Sequence, residues 1–318
     1  MRARRRRALT YCAVLLVVVA GVVAWGVRGR PGRRAGGATN DGVAIDPSEF
    51  AAGACISFAP TVGDRHVTVF LDAGHGGLDP GGVGTTDSGQ QIDEPTVNLP
   101  IELAAMAILR SHGFTVVASR TGNTTVVNLG PGDTDGQLLT LQGSHDDVAA
   151  RDACANMAHA ELLVGIYMDA GGTPQNAGSV STYDTDRPFS SSSLAFATLL
   201  QDDVLTAMNA QGWGIPDDGV VSDATEGSAV GNPDDGGIAA EAADYNHLLL
   251  LGPADPGYFS TPSQMPGAVI EPLYITDPFE GSIALSSQGQ AVIAEGIAKA
   301  IEHYFAPPPA KSPSTTTS

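Results

Sequence analysis

Basic residues are scarce over most of this 318-residue chain. Nine of its 16 lysines and arginines fall within the first 34 positions, where there is no acid. The remainder holds 7 basic against 35 acidic side chains, a net charge of −28. A surface of that sign repels nucleic acid and anionic membranes, so a nucleic-acid partner is excluded. Most of those acids are read as a solvated surface that keeps the domain soluble. Cysteine is also scarce, with Cys12, Cys55 and Cys154 only. Cys12 sits in an apolar run near the N-terminus. Cys55 and Cys154 lie further on, where an oxidising compartment would permit a disulfide. Spacing does not decide between a disulfide and two buried thiols. Internal repeats are lacking, which argues against a repeat architecture.

What the N-terminus has is specific. "MRARRRR" precedes 20 residues without a charge, positions 8–27, and Arg28, Arg30, Arg33 and Arg34 follow. About 20 apolar residues span a bilayer as a helix. A cleavable signal peptide has a shorter apolar stretch, about 7–15 residues, and a small-residue cleavage site. The expectation is a single-pass signal anchor with the N-terminus inside and the main domain outside the cell membrane. Cleavage within "AGGATND" would instead give a secreted protein. Residues 1–34 are thus a basic stub and transmembrane helix, and 35–65 a Gly- and Ala-rich linker and lead-in. Residues 66–305 are the main domain, and 306–318 a disordered Pro/Ser/Thr tail.

Within 66–305 strand and helix patterns alternate. "VTVFLDA" (67–73), "FTVVASR" (114–120), "ELLVGIY" (161–167) and "GAVIEPLYI" (267–275) read as strands. Between and after them, 97–113, the stretch from Ser144 (a candidate N-cap) to Ala160, the "SSSLAFATLL" segment and 286–305 read as helices. Pro100 is expected in the first turn of its helix, where a missing N–H costs least. The pattern implies an α/β fold: a mostly parallel twisted sheet, helices on both faces, and an active site at the carboxyl ends of the strands.

Three residues stand at such ends. His75 sits among Gly74, Gly76 and Gly77, so the loop can turn sharply. Glu94 precedes a helix, where the dipole favours an acid in any protein. Glu271 ends an apolar strand, where an unpaired carboxylate is costly; a general acid/base could stand there. Singly each is weak. In order, "VFLDAGHGGLDPGG", "EPTVNLPIELAAMAILRSHGFTVVASR", "RDACANMAHAELLVGIYMDA", "GAVIEPLYITDP" and "IAEGIAKAIEHYF" resemble the zinc-dependent N-acetylmuramoyl-L-alanine amidases, bacterial cell-wall enzymes with a DPGHGG motif. The resemblance spans about residues 66–305.

The resemblance implies that His75 and Glu94 are metal ligands to one Zn²⁺ and that Glu271 is the catalytic glutamate. After Glu271, "PLYIT" replaces the family's glycine-containing sequel. The family's third ligand is a histidine at the end of the third strand, and here that position is Tyr167. Three residues could fill the vacancy. Tyr167 could ligate as a phenolate, Asp169 shares its strand face, and His145 starts the preceding helix at similar height. His247, heading the "LLLL" run, stays unassigned. The implied activity is hydrolysis of the amide between N-acetylmuramic acid and L-alanine, with peptidoglycan as partner. The alternative is a catalytically impaired member that binds peptidoglycan or regulates wall hydrolysis.

Overall fold

The computed structural model describes residues 41–224 and 245–307. Its centre is an eight-stranded sheet. In chain order the strands are β1 (Val43–Ala44), β2 (Ala54–Phe58), β3 (Thr68–Ala73), β6 (Thr115–Arg120), β9 (Leu162–Ile166), β10 (Ser179–Tyr183), β11 (Asp217–Ser222) and β12 (Gly267–Glu271). Two short hairpins supply β4 (Val83–Thr85) with β5 (Gln91–Asp93), and β7 (Thr134–Asp135) with β8 (Leu138–Leu139). Across the sheet the order is β1-β2-β6-β3-β9-β12-β10-β11. The four central strands are mutually parallel. β2 joins one side antiparallel, and on the other β10 runs antiparallel to β12 but parallel to β11.

The helices are α1 (Glu94–Ser111), α2 (Leu141–Met157), α3 (Ser190–Asn209), α4 (Pro278–Leu285) and α5 (Ser287–Tyr304). Alternation along each central strand divides the core. Val69, Leu71, Leu162, Val164, Ala268 and Ile270 face α1, α3 and α5. Phe70, Leu163 and Val269 face the other side, with residues of α2 and Leu250. Helices therefore cover both faces, as expected.

Several details differ from the sequence reading. β1 and β2 lie inside the stretch read as linker and lead-in, so the sheet begins at Val43. Helix α2 starts three residues before Ser144, and Thr140 is its cap, accepting from Gly143 N–H. Helix α1 starts at Glu94 behind an Asp93 cap, which places Pro100 inside the helix rather than in its first turn. β10, β11 and α4 were not anticipated. The disulfide was one of two open readings: Cys55 on β2 and Cys154 on α2 are joined. No described helix is long and apolar enough to cross a membrane. The expected anchor at 8–27 and the tail from 308 lie outside the described residues.

Candidate active site

Register brings the three strand ends to one level. Ala73 and Ile270 both pair with Ile166, so His75, Tyr167 and Glu271 follow on adjacent strands. They border a cavity of about 840 Å³ that Glu94, Asp169 and Arg151 also line.

His75 holds a left-handed backbone conformation, φ 59°, which few non-glycine residues adopt. Its ring is fixed from both sides. Nδ1 lies 2.8 Å from Asp79 Oδ2, and Nε2 lies 3.3 Å from Glu94 Oε1. Burial disfavours the charged ring, but the carboxylates of Glu94 and Asp79 outweigh it and raise the His75 pKa well above its ordinary value. Glu94 is itself oriented. Its Oε1 accepts from Gly82 N–H at 2.8 Å, and its Oε2 from Met168 N–H at 2.9 Å and Asn98 Nδ2 at 3.2 Å. Gly81 allows this closeness, since a Cβ there would stand 2.5 Å from the His75 ring and 2.9 Å from Glu94 Oε1.

Beneath the loop lies a buried ion network. Arg151 bonds Asp72 Oδ1 at 2.5 Å and Asp147 Oδ2 at 2.7 Å. The same guanidinium donates to the carbonyls of Ala73 and His75, each at 2.9 Å. A buried arginine that satisfies two carboxylates and two carbonyls locks the loop that presents His75.

Tyr167 belongs to that network rather than to the ligand pair. Its hydroxyl donates to Asp72 Oδ2 at 3.0 Å, and its ring stands edge-on to His75 at 5.3 Å. Burial, then the Asp72 charge, raises its pKa well above the ordinary phenol value. Tyr167, one of the three expected replacements, has its hydroxyl committed to Asp72 in this arrangement. Gly74 makes room for the ring: a Cβ at that position would meet Tyr167 Cε1 at 2.3 Å.

The other two expected replacements stand apart, one against an aromatic pair and one on the cavity wall. His145 is buried against Tyr258 and Phe259, with ring centroids 4.9 and 6.2 Å away. The cavity is lined instead by Ser144, Asp147, Val148 and Arg151 of the same helix. Asp169 does line the cavity, and the Tyr274 hydroxyl bonds its carboxylate. Among the described residues, however, no third His, Cys, Asp or Glu places a ligand atom within 4.8 Å of both His75 and Glu94.

The pair itself suits a divalent metal. Tetrahedral zinc with bonds of about 2.0–2.1 Å holds neighbouring ligand atoms roughly 3.3–3.4 Å apart, and His75 Nε2 and Glu94 Oε1 are 3.3 Å apart. A carboxylate behind the imidazole, here Asp79, is the usual support of a metal-bound histidine. Two protein ligands thus have a spacing that fits zinc, and among the described residues no third carboxylate, imidazole or thiolate joins them. Sequence reasoning missed Asp72, Asp79 and Arg151, although "GHGGLD" puts an acid four residues after His75. It also missed a group elsewhere in the fold, Asp184, Asp223 and His247.

Comparison with known proteins agrees with the fold. The sequence pattern of the N-acetylmuramoyl-L-alanine amidase family matches residues 69–303. The uncharacterized protein YqiI of Bacillus subtilis is 24% identical over 238 residues, covering 75% of this chain and 84% of that protein. Among solved structures, the CwlD amidase of Clostridioides difficile, in complex with the GerS lipoprotein, superposes with a TM-score of 0.54 at 19% identity. It covers 75% of this chain and 98% of that one. The catalytic domain of CwlV, an N-acetylmuramoyl-L-alanine amidase from Paenibacillus polymyxa, gives 0.50 at 22%, covering 75% and 97%. The amidase Ami1 of Mycobacterium smegmatis gives 0.50 at 20%, covering 76% and 98%.

Proposed function

The chain belongs to the N-acetylmuramoyl-L-alanine amidase family, and on that premise we propose that it hydrolyses the amide between N-acetylmuramic acid and L-alanine in peptidoglycan. The observation that carries this reading is the His75–Glu94 pair at 3.3 Å, backed by Asp79, with Glu271 on the same cavity. His75 and Glu94 would hold a zinc ion, whose chemistry is to polarise the amide carbonyl and acidify a water. Glu271 takes the proton of the attacking water and delivers it to the departing alanine nitrogen. Asp79 keeps the His75 ring turned so that Nε2 faces the cavity. With two protein ligands, zinc is held loosely, and activity rises with added zinc.

The test is release of new L-alanine amino termini from purified peptidoglycan, followed by mass spectrometry as zinc is titrated. Wild type gains activity with zinc. Glu271→Gln lowers the rate at least about 100-fold while zinc content stays unchanged. No release from wild type at saturating zinc would overturn the hydrolase. A second reading, a wall-binding member with little or no hydrolysis, is favoured by the tie of Tyr167 to Asp72. It gains if the protein sediments with walls but frees no amine. We also propose that the basic and apolar segment 1–34 tethers the domain outside the membrane. The Cys55–Cys154 disulfide supports an oxidising compartment.

A further inference from the structure

The sheet carries a second group of metal-type ligands, away from the cleft. Glu271 pairs with Val180, and from there β10 runs back along β12, with Thr182 opposite Val269. Asp184 stands four residues beyond Val180, roughly 13 Å along the strand. Parallel pairing of Tyr183 with Ser222 makes Asp184 and Asp223 the next residues of neighbouring strands, so two carboxylates emerge side by side. Both are buried, 2% and 0% exposed. His247 closes the group, its Nδ1 2.8 Å from Asp184 Oδ2 and 3.4 Å from Asp223 Oδ2. One ligand atom from each of the three lies within 4.8 Å of the others.

Asp184 Oδ2, Asp223 Oδ1 and His247 Nδ1 are buried and make no well-aligned hydrogen bond, although His247 Nδ1 stands within ion-pair reach of Asp184 Oδ2 and the Asp184 and Asp223 carboxylates are close enough to share a proton. The remaining oxygens are tied down, Asp184 Oδ1 by Asp186 N–H at 2.6 Å and Asp223 Oδ2 by Leu248 N–H at 3.2 Å. Oriented carboxylates with unused lone pairs facing an imidazole nitrogen are what a cation site looks like without its cation. One imidazole and two carboxylates suit zinc or a similar transition metal, whereas calcium takes six to eight oxygens.

We propose that Asp184, Asp223 and His247 bind a divalent transition metal at a second site, structural rather than catalytic. Its place in the fold explains its use. The three residues after His247, Leu248, Leu249 and Leu250, line the active-site cavity. Arg187, three residues after Asp184, donates to the carbonyls of Leu251 and Gly252 at 3.0 and 2.7 Å. A metal joining the ends of β10 and β11 to His247 therefore fixes one wall of the cleft to the sheet.

The test uses the full chain in detergent carrying His75→Ala and Glu94→Gln, which remove the cleft's ligands and leave only the second site. Zinc content is read by mass spectrometry, and cobalt spectra report the ligand set. The expectation is one equivalent of zinc, a cobalt spectrum of nitrogen and oxygen ligation, and a Tm raised by about 5–10 °C at a hundredfold excess over Kd. Adding His247→Gln abolishes all three. Absence of zinc binding in the first variant overturns the proposal and means that protons neutralise the cluster, and binding of calcium but not zinc overturns the metal class. Neither result depends on peptidoglycan hydrolysis, which is scored separately on the wild type.

Discussion

At the scale of single residues, the proposed zinc site turns on Tyr167. Its hydroxyl is committed to Asp72, and its ring fills the space that Gly74 leaves. Replacing it with histidine restores the nitrogen that the family places at this strand end. Tyr167→His is expected to tighten zinc binding at least about tenfold and to raise hydrolysis in step, read by chelator competition and amine release. Tyr167→Phe is the control: it leaves an oxygen of Asp72 short of a donor, lowers stability by about 1–3 kcal/mol, and leaves zinc affinity unchanged. If histidine changes nothing, position 167 does not reach the metal. The position was legible because the strand reads "LLVGI" and the resemblance to the amidases puts a ligand at its end. The commitment to Asp72 was not, because Asp72 lies 95 positions away and meets Tyr167 only through the parallel pairing of β3 with β9.

Elements made largely of Val, Ile and Leu announced themselves: β3, β6 and β9 fall within a residue of where the pattern put them, and β12 begins where expected but stops at Glu271 rather than running to 275. β10 did not, because its buried face is polar. Ser179 and Ser181 are fully buried yet satisfied by Gln201 of α3, whose Nε2 donates to Ser179 O at 2.7 Å and whose Oε1 accepts from Ser181 at 3.1 Å. A buried strand satisfied by a distant glutamine leaves no hydrophobic alternation to read. Helix α1 hides a similar exception in Glu102. Burial pushes its carboxyl up to about 8, opposed by Arg120, while its Oε1 accepts from Ser119 N–H at 2.9 Å. A folded-state pKa above the unfolded value of 4.5 means that the folded chain holds the extra proton. The stabilisation this gives is full below the unfolded pKa and is lost as pH rises through about 8. Stability should therefore decline between about pH 5 and 8, measured by denaturant titration at several pH values. Glu102→Gln should flatten that decline and raise stability most at the alkaline end.

At the scale of the molecule, one covalent link spans the part of the chain that carries His75 and Glu94. Cys55 and Cys154 are 99 residues apart in sequence, and the loop they close contains His75, Glu94 and Glu102. Constraining a loop of about 100 residues is worth up to about 4.7 kcal/mol through the unfolded state. The double variant Cys55→Ala/Cys154→Ala should lose a large part of that, seen as a lower denaturation midpoint, while the oxidised wild type shows no free thiol at either position. The α/β architecture and the order of the motifs were readable from the sequence. The pairing was not, because spacing alone leaves two thiols and a bridge equally open.

That link also makes completion of the site depend on oxidation of two thiols. Arg151 sits three residues before Cys154 on α2 and holds the carbonyl of His75. A chain still in a reducing cytoplasm has the residues of the cleft but not the clasp that secures α2 to β2. Maturation of the site is then completed only once the two thiols are oxidised, and a preparation kept reducing begins as the unclasped form.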